Sequence, residues 1–138
     1  QQAIQYGNLN PSKSITHTLQ IHGYHNNSHN YGSLSEYGSD ANKIKELVSE
    51  NSNYNELLHP NHSIVIAEII WSVRNEMARN IEDFLSRRTR LLIIDAKASV
   101  EAASTVAKYM AKELGYNRKW QRKQLKEFSL LADNYIVK

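Results

Sequence analysis

The sequence predicts an all-α domain, a small bundle of about five or six helices preceded by an irregular, partly extended N-terminal tail. Three observations carry that prediction. From residue 39 onward, apolar residues recur at helical spacing in one segment after another. Capping residues and a glycine stand where those segments should begin and end. The first third is polar by contrast, with only a faint two-residue alternation. At 138 residues and 15.9 kDa the chain has room for one domain of ordinary size.

Residues 1–38 read as a polar linker and residues 39–138 as the helical domain. The opening stretch, residues 1–12, runs to Asn10-Pro11. Between Ser14 and His22, Ile15, Leu19 and Ile21 share one parity with His17, which predicts a strand needing a sheet from elsewhere. Gly23 to Gly38 is rich in Asn, His, Ser, Gly and Tyr, the composition of a loop. Ser39 or Asp40 can cap a first helix bearing Ala41, Ile44, Leu47 and Val48 on one face. Asn51-Ser52-Asn53 ends it, and a short turn over Tyr54–Leu58 leads to the break at Pro60.

Ile64 to Met77 is apolar nearly all round, so a central helix is expected there. Its Glu68 must find a partner, because an unpaired buried carboxylate is expensive. Asn80 and Asp83 have capping-box spacing with shorter side chains, opening a short helix with Ile81, Phe84 and Leu85. Thr89 can cap a further helix running through Leu91, Leu92, Ile94, Asp95, Ala98 and Ala102, with Ser104 a possible re-capping point. That stretch ends at Leu114-Gly115, where glycine suits the left-handed residue after a helix. Asn117 caps the last helix, with Trp120, Phe128, Leu131 and Tyr135 inward and Arg118, Lys119, Arg122, Lys123 and Lys126 outward. No internal repeat is visible.

Composition excludes several classes of function. The absence of Cys rules out a disulfide scaffold, a cysteine zinc site and a thiol nucleophile. Neither nucleotide-binding glycine loop occurs, and the five Gly are well separated. His17, His22, His25 and His29, and the pair His59/His62, lie in loop sequence and read as adventitious rather than as metal ligands. No leader or bilayer-spanning run is present, and a first residue of Gln points to an excised piece.

The net charge of +3 is unevenly spread: residues 1–69 carry 3 bases against 6 acids, and residues 70–138 carry 14 against 8. A basic half suggests nucleic acid or a membrane. Arg87-Arg88-Thr89-Arg90 between two helices looks like a DNA-reading turn, yet Leu91-Leu92-Ile93-Ile94 follows where base-reading residues should be polar. Burial of that run is expected, which argues against nucleic acid. The simplest use of Glu68, Glu76, Asp83, Arg87, Arg88 and Arg90 is ion pairing between helices or domains. No catalytic, cofactor-binding or metal residue is assigned.

Several stretches together resemble the C-terminal domain of FAD-dependent glycerol-3-phosphate dehydrogenases and the related α-glycerophosphate oxidases. They are Ala67 to Arg79, Ile81 to Arg90, Ile94-Asp95-Ala96, and Ala111-Lys112-Glu113-Leu114-Gly115 with the Trp120 helix. Upstream, Ile21-His22-Gly23-Tyr24 and Tyr37-Gly38-Ser39-Asp40 resemble the segment joining catalytic part and cap. Ser104 departs from the family, whose members often have Pro there.

The resemblance implies a parent enzyme passing hydride from sn-glycerol 3-phosphate to FAD and electrons onward to quinone or oxygen. This chain is then its non-catalytic helical domain, without bound FAD, docked on the preceding FAD and substrate domain, of which residues 1–38 are a remnant. A cytoplasmic location is implied, with possible association at the inner face of a membrane. The other readings are a nucleic-acid-binding module and a membrane- or partner-docking module.

Overall fold

A computed structural model describes residues 2–8, 10 and 12–136; Pro11 lies outside them. The chain is mostly helical, with one small hairpin. A short helix α1 (Gln2–Tyr6) begins it, and 3-10 turns run over Ser28–Asp40, interrupted at Gly32 and Gly38. Then come α2 (Ala41–Glu50), a 3-10 turn (Ser52–Asn55), β1 (Leu57–His59), β2 (His62–Val65) and α3 (Ile66–Asn75). A π-helical turn (Asp83–Arg88), α4 (Leu91–Ile94), α5 (Ala96–Leu114) and α6 (Arg118–Ala132) complete it.

α3 and α5 form the centre. Ile66 through Val73 are all buried, as an all-round apolar helix requires. α5 packs on α3, α4 and α6 and turns Ala98, Ala102, Val106 and Met110 inward at four-residue spacing. Alanine keeps that face thin, so the neighbouring backbones approach closely. The polar residues caught inside are satisfied locally: Ser72 donates to the Ile69 carbonyl at 2.8 Å and Ser99 to that of Ala96 at 2.7 Å. The core also reaches back into the tail, where Leu34 is buried and Tyr31 and Tyr37 pack against it.

Helix ends follow the local chemistry in several places. The Asp83 N–H donates to Asn80 Oδ1 at 2.8 Å and the Asn80 N–H to Asp83 Oδ2 at 3.2 Å, a reciprocal cap. Asn117 Oδ1 accepts from the N–H groups of Lys119 and Trp120, and Gly115 adopts φ +70° beyond α5.

Other expectations are corrected. Residues 14–22 form no strand: the N–H groups of Thr18 and Leu19 turn back to the Ile15 carbonyl at 3.0 and 2.9 Å. Without a neighbouring strand, local turns are what satisfies those groups. Conversely, Leu57–His59 and His62–Val65 pair antiparallel across Pro60-Asn61, where only a turn was expected. The long helix after Thr89 is interrupted at Asp95, which accepts from the Ala98 N–H at 3.0 Å and so caps α5 afresh. Ser104 causes no break. Thr89 Oγ1 donates back to the Phe84 carbonyl at 3.1 Å, closing the π-helical turn, and accepts only a 3.4 Å bond from the Leu91 N–H.

Asp40 precedes α2 without a side-chain cap bond, because Lys43 and His22 take its carboxylate at 3.0 and 2.7 Å. Tyr135 lies beyond α6 and is exposed.

Candidate functional site

The candidate site is a surface cleft of about 200 Å³ where the tail, the hairpin, α3 and the π-helical turn meet. Tyr37, His62, Glu68, Arg88, Thr89 and Ile94 are among its lining residues. Glu68 is 5% exposed. It reaches back from the third position of α3 to accept the Val65 N–H at 2.8 Å, and its other oxygen accepts from the Tyr37 hydroxyl at 3.0 Å. Burial raises the Glu68 carboxyl above its usual range, while those two donors pull it back. The Tyr37 hydroxyl is raised too, by burial and then by the neighbouring carboxylate, so it remains a donor.

Arg88 closes the other side, beside further arginine–carboxylate pairs. Arg88 Nη2 donates to the Glu76 carbonyl at 2.5 Å, and its Nε lies 3.2 Å from Glu76 Oε2, which has no well-angled hydrogen bond. The Glu76 Oε1 accepts from the Trp71 indole at 3.1 Å. Arg87 pairs with Asp83 and, at 2.6 Å, with Glu82. Asp83 Oδ2 also accepts the Arg79 and Asn80 N–H groups at 2.8 and 3.2 Å. Glu68 therefore takes a tyrosine and a backbone N–H rather than an arginine. Arg90 is exposed at φ +56°, and among the described residues it makes no ion pair. A left-handed non-glycine residue is strained, and here it turns the chain from the π-helical turn into α4.

α4 is a single turn with two faces. Leu91 and Leu92 are buried, whereas Ile93 and Ile94 are 65% and 70% exposed. The expected burial of the whole run is thus corrected: one helical turn cannot direct four consecutive side chains inward.

The histidines near the cleft are also corrected. His59 Nε2 lies 3.0 Å from Glu101 and His62 Nε2 lies 3.2 Å from Asp95, so both hold the hairpin to α5. The Ala98 N–H, and then His62, hold the Asp95 carboxyl below its usual range. Among the described residues no group of three metal-ligating side chains forms. Pairings of this kind join residues far apart in sequence, and Tyr37, His59 and His62 carried no local signal of them.

The cleft also gathers the stretches on which the resemblance rests. Tyr37, Glu68, Arg88, Thr89 and Ile94, each from one of those stretches, line it, and the two upstream stretches meet each other. The Ser39 N–H donates to the Gly23 carbonyl at 3.1 Å.

A family model described as the C-terminal domain of alpha-glycerophosphate oxidase matches residues 14–121. The chain belongs to this family. Among its relatives is the mitochondrial glycerol-3-phosphate dehydrogenase of Schizosaccharomyces pombe, 31% identical over an alignment covering 83% of this chain and 21% of the relative. A probable mitochondrial glycerol-3-phosphate dehydrogenase of Dictyostelium discoideum is 31% identical, covering 72% of this chain and 15% of the relative. The mitochondrial glycerol-3-phosphate dehydrogenase SDP6 of Arabidopsis thaliana is 28% identical, covering 66% and 14%. The chain thus spans about a fifth or less of these relatives' lengths. No solved structure matches it.

Proposed function

We propose that this chain is the non-catalytic C-terminal domain of an FAD-dependent enzyme oxidising sn-glycerol 3-phosphate to dihydroxyacetone phosphate. The match over residues 14–121 is the observation that carries this reading, supported by three relatives named as glycerol-3-phosphate dehydrogenases. The residues present do not fit a flavin. The cleft of about 200 Å³ falls below the ~300 Å³ at which small-molecule pockets begin, and the depression of about 380 Å³ framed by Tyr116, Lys119, Trp120 and Lys123 is shallow and open rather than enclosing. The sequence holds neither nucleotide-binding glycine loop, so no glycine-rich cradle for a pyrophosphate opens a helix here.

The carboxylates have structural occupations. Both oxygens of Glu68 accept bonds, Asp83 caps and pairs, and Glu76 holds Trp71 and Arg88. These occupations support a structural role for the three carboxylates. Flavin and substrate would be held by the part of the parent preceding this domain. The exposed Ile93/Ile94 pair, rimmed by Arg88 and Arg90, is the face we assign to contact with it.

The names of the three relatives place those proteins in mitochondria. Among the described residues no helix is long and apolar enough to cross a membrane.

The test is a dye-coupled oxidation of sn-glycerol 3-phosphate together with a flavin absorbance spectrum. The full-length parent is expected to show both, and this chain alone neither. Turnover by the isolated chain, or a parent inert toward this substrate, overturns the reading.

A further inference from the structure

The charges around the cleft do not balance. Its basic lining residues are committed elsewhere: Arg88 to the carbonyl and carboxylate of Glu76, and His62 to Asp95 at 3.2 Å. Glu36 and Glu68 line the same cleft, and among the described residues neither makes an ion pair. Glu68 is buried with a hydroxyl and a backbone N–H to hold it, and Glu36 is exposed. Burial raises the Glu68 carboxyl, its two donors oppose that, and Glu36 and Glu76 raise it further. The Tyr37 hydroxyl is raised by burial and then by Glu68, Glu76 and Glu36. Every charged neighbour acting on this buried pair is thus a carboxylate.

The walls suit a long cationic side chain. Ile64 and Leu91 line the cleft, and Ile94, 70% exposed, carries the apolar surface outward beside Ile93. A lysine or arginine lays its methylene stem along such a wall and holds its charge at the tip. The volume of about 200 Å³ suits one side chain and falls short of a substrate-sized pocket. A metal ion is a poorer occupant, because both Glu68 oxygens already accept bonds and no group of three ligands forms among the described residues.

We propose that the cleft is a socket for one cationic side chain, a lysine or arginine presented by the part of the parent enzyme preceding this domain, with Glu36 and Glu68 at its tip and Ile64 and Ile94 along its stem. The chain spans about a fifth or less of its relatives' lengths, so the greater part of such a parent is available to supply it. Complementary charge at an interface fixes register more than it adds affinity. The exposed Ile93/Ile94 pair supplies apolar contact area, and the socket decides where that contact settles. The identity of the donor rests on the reading proposed above; the preference of the cleft for a cation does not.

The experiment has two arms. In the first, the 138-residue chain is titrated with n-butylguanidinium chloride and followed by amide NMR. Saturable shifts are expected at Tyr37, Ser63 and Thr89. Glu36→Lys, at an exposed position, and Glu68→Gln should each weaken binding by about tenfold or more, the scale of a charge-assisted hydrogen bond, with circular dichroism matching the native chain. In the second, hydrogen exchange at residues 36–37, 62–64 and 89–94 should be slower in the full-length parent than in this chain, and Glu36→Lys in the parent should restore the faster rate. No saturable response, an equal response to sodium or magnesium chloride at the same ionic strength, or binding indifferent to both variants would overturn the proposal. Probe binding with unchanged exchange in the parent would give the cleft to a free amine and overturn the docking. Neither arm reads turnover, so a parent inert toward sn-glycerol 3-phosphate would end the enzymatic reading and leave the socket standing.

Discussion

Gly38 lies so close to Gly23 that a Cβ at position 38 would meet the Gly23 carbonyl oxygen at 1.7 Å. Gly38 also adopts φ +54°, a region L side chains rarely occupy. The neighbouring Ser39 N–H donates to that carbonyl, and His22 reaches Asp40 at 2.7 Å. Two segments of the tail are thereby latched at the entrance to α2. Gly38→Ala should open the latch at a cost of about 1–3 kcal/mol from backbone strain, with steric clash in addition. Urea unfolding and limited proteolysis over residues 20–38 read it; an unchanged midpoint and cleavage pattern would show that the close approach is not maintained.

Glu68 sets a pH dependence of known sign. Its folded-state carboxyl is raised above the unfolded value, so its contribution is fully present below about pH 4.3 and is lost as pH rises through the folded value. Relative to Glu68→Gln, the native chain should therefore lose stability between acid and neutral pH. Thermal melts of both proteins across that range give the difference, and a flat or oppositely sloped difference would contradict the assignment.

Tyr37→Phe tests the same site from its donor. It removes a hydrogen bond to a buried carboxylate, for which about 1.5–3 kcal/mol is the usual range at neutral pH. The loss should shrink in acid as Glu68 takes up a proton. Denaturant titrations at pH 4 and pH 7 would distinguish this from a simple packing defect, which would cost the same at both.

Arg74 joins three helices: from α3 it reaches Glu50 of α2 at 3.0 Å and Glu113 of α5 at 2.8 Å. Those carboxylates, Glu113 foremost, hold its guanidinium further protonated. Because the arginine is partly exposed, solvent screening limits the effect, and Arg74→Met should cost only about 0.5–1 kcal/mol. A double-mutant cycle with Glu113→Gln should return most of that as coupling, and additive losses would deny the bridge a role.

Asn117→Ala should cost about 1 kcal/mol by removing the α6 cap. Asn117→Asp should retain most of the stability, since a carboxylate accepts the same N–H groups and suits a helix N-terminus. Equal losses in both variants by calorimetry would show that the side-chain acceptor is not what stabilises that end.

The helices were legible where a local signal had no competitor. Asn80 with Asp83, Gly115, Asn117 and the apolar span of α3 each act over a few residues, and pattern alone locates them. The hairpin was hidden because Ile64 and Val65 run without a break into α3, and two strands this short show no alternation. Asp95 was hidden for a related reason. It follows four apolar residues at a spacing a continuous helix also allows, and only the fold reveals that it caps.

The site was less legible than the fold. Glu68's need for a partner could be read from its apolar surroundings, but not which partner. Tyr37 lies 31 residues away, and the histidines that hold the hairpin lie 42 and 33 from their carboxylates. Such pairings depend on tertiary approach and leave no periodic trace in the chain.

The one-turn helix α4 carries a consequence for recognition. Buried Leu91 and Leu92 anchor it from beneath, and at its far end the Asp95 N–H donates to the Leu91 carbonyl at 2.7 Å, so Ile93 and Ile94 stand on an already ordered support. A surface that covers them need not organise a loop first, and the entropy of fixing that backbone is met when the domain folds. Affinity at this point would come from preorganisation rather than area, and loosening Leu91 or Leu92 would weaken association without altering a single contacting atom.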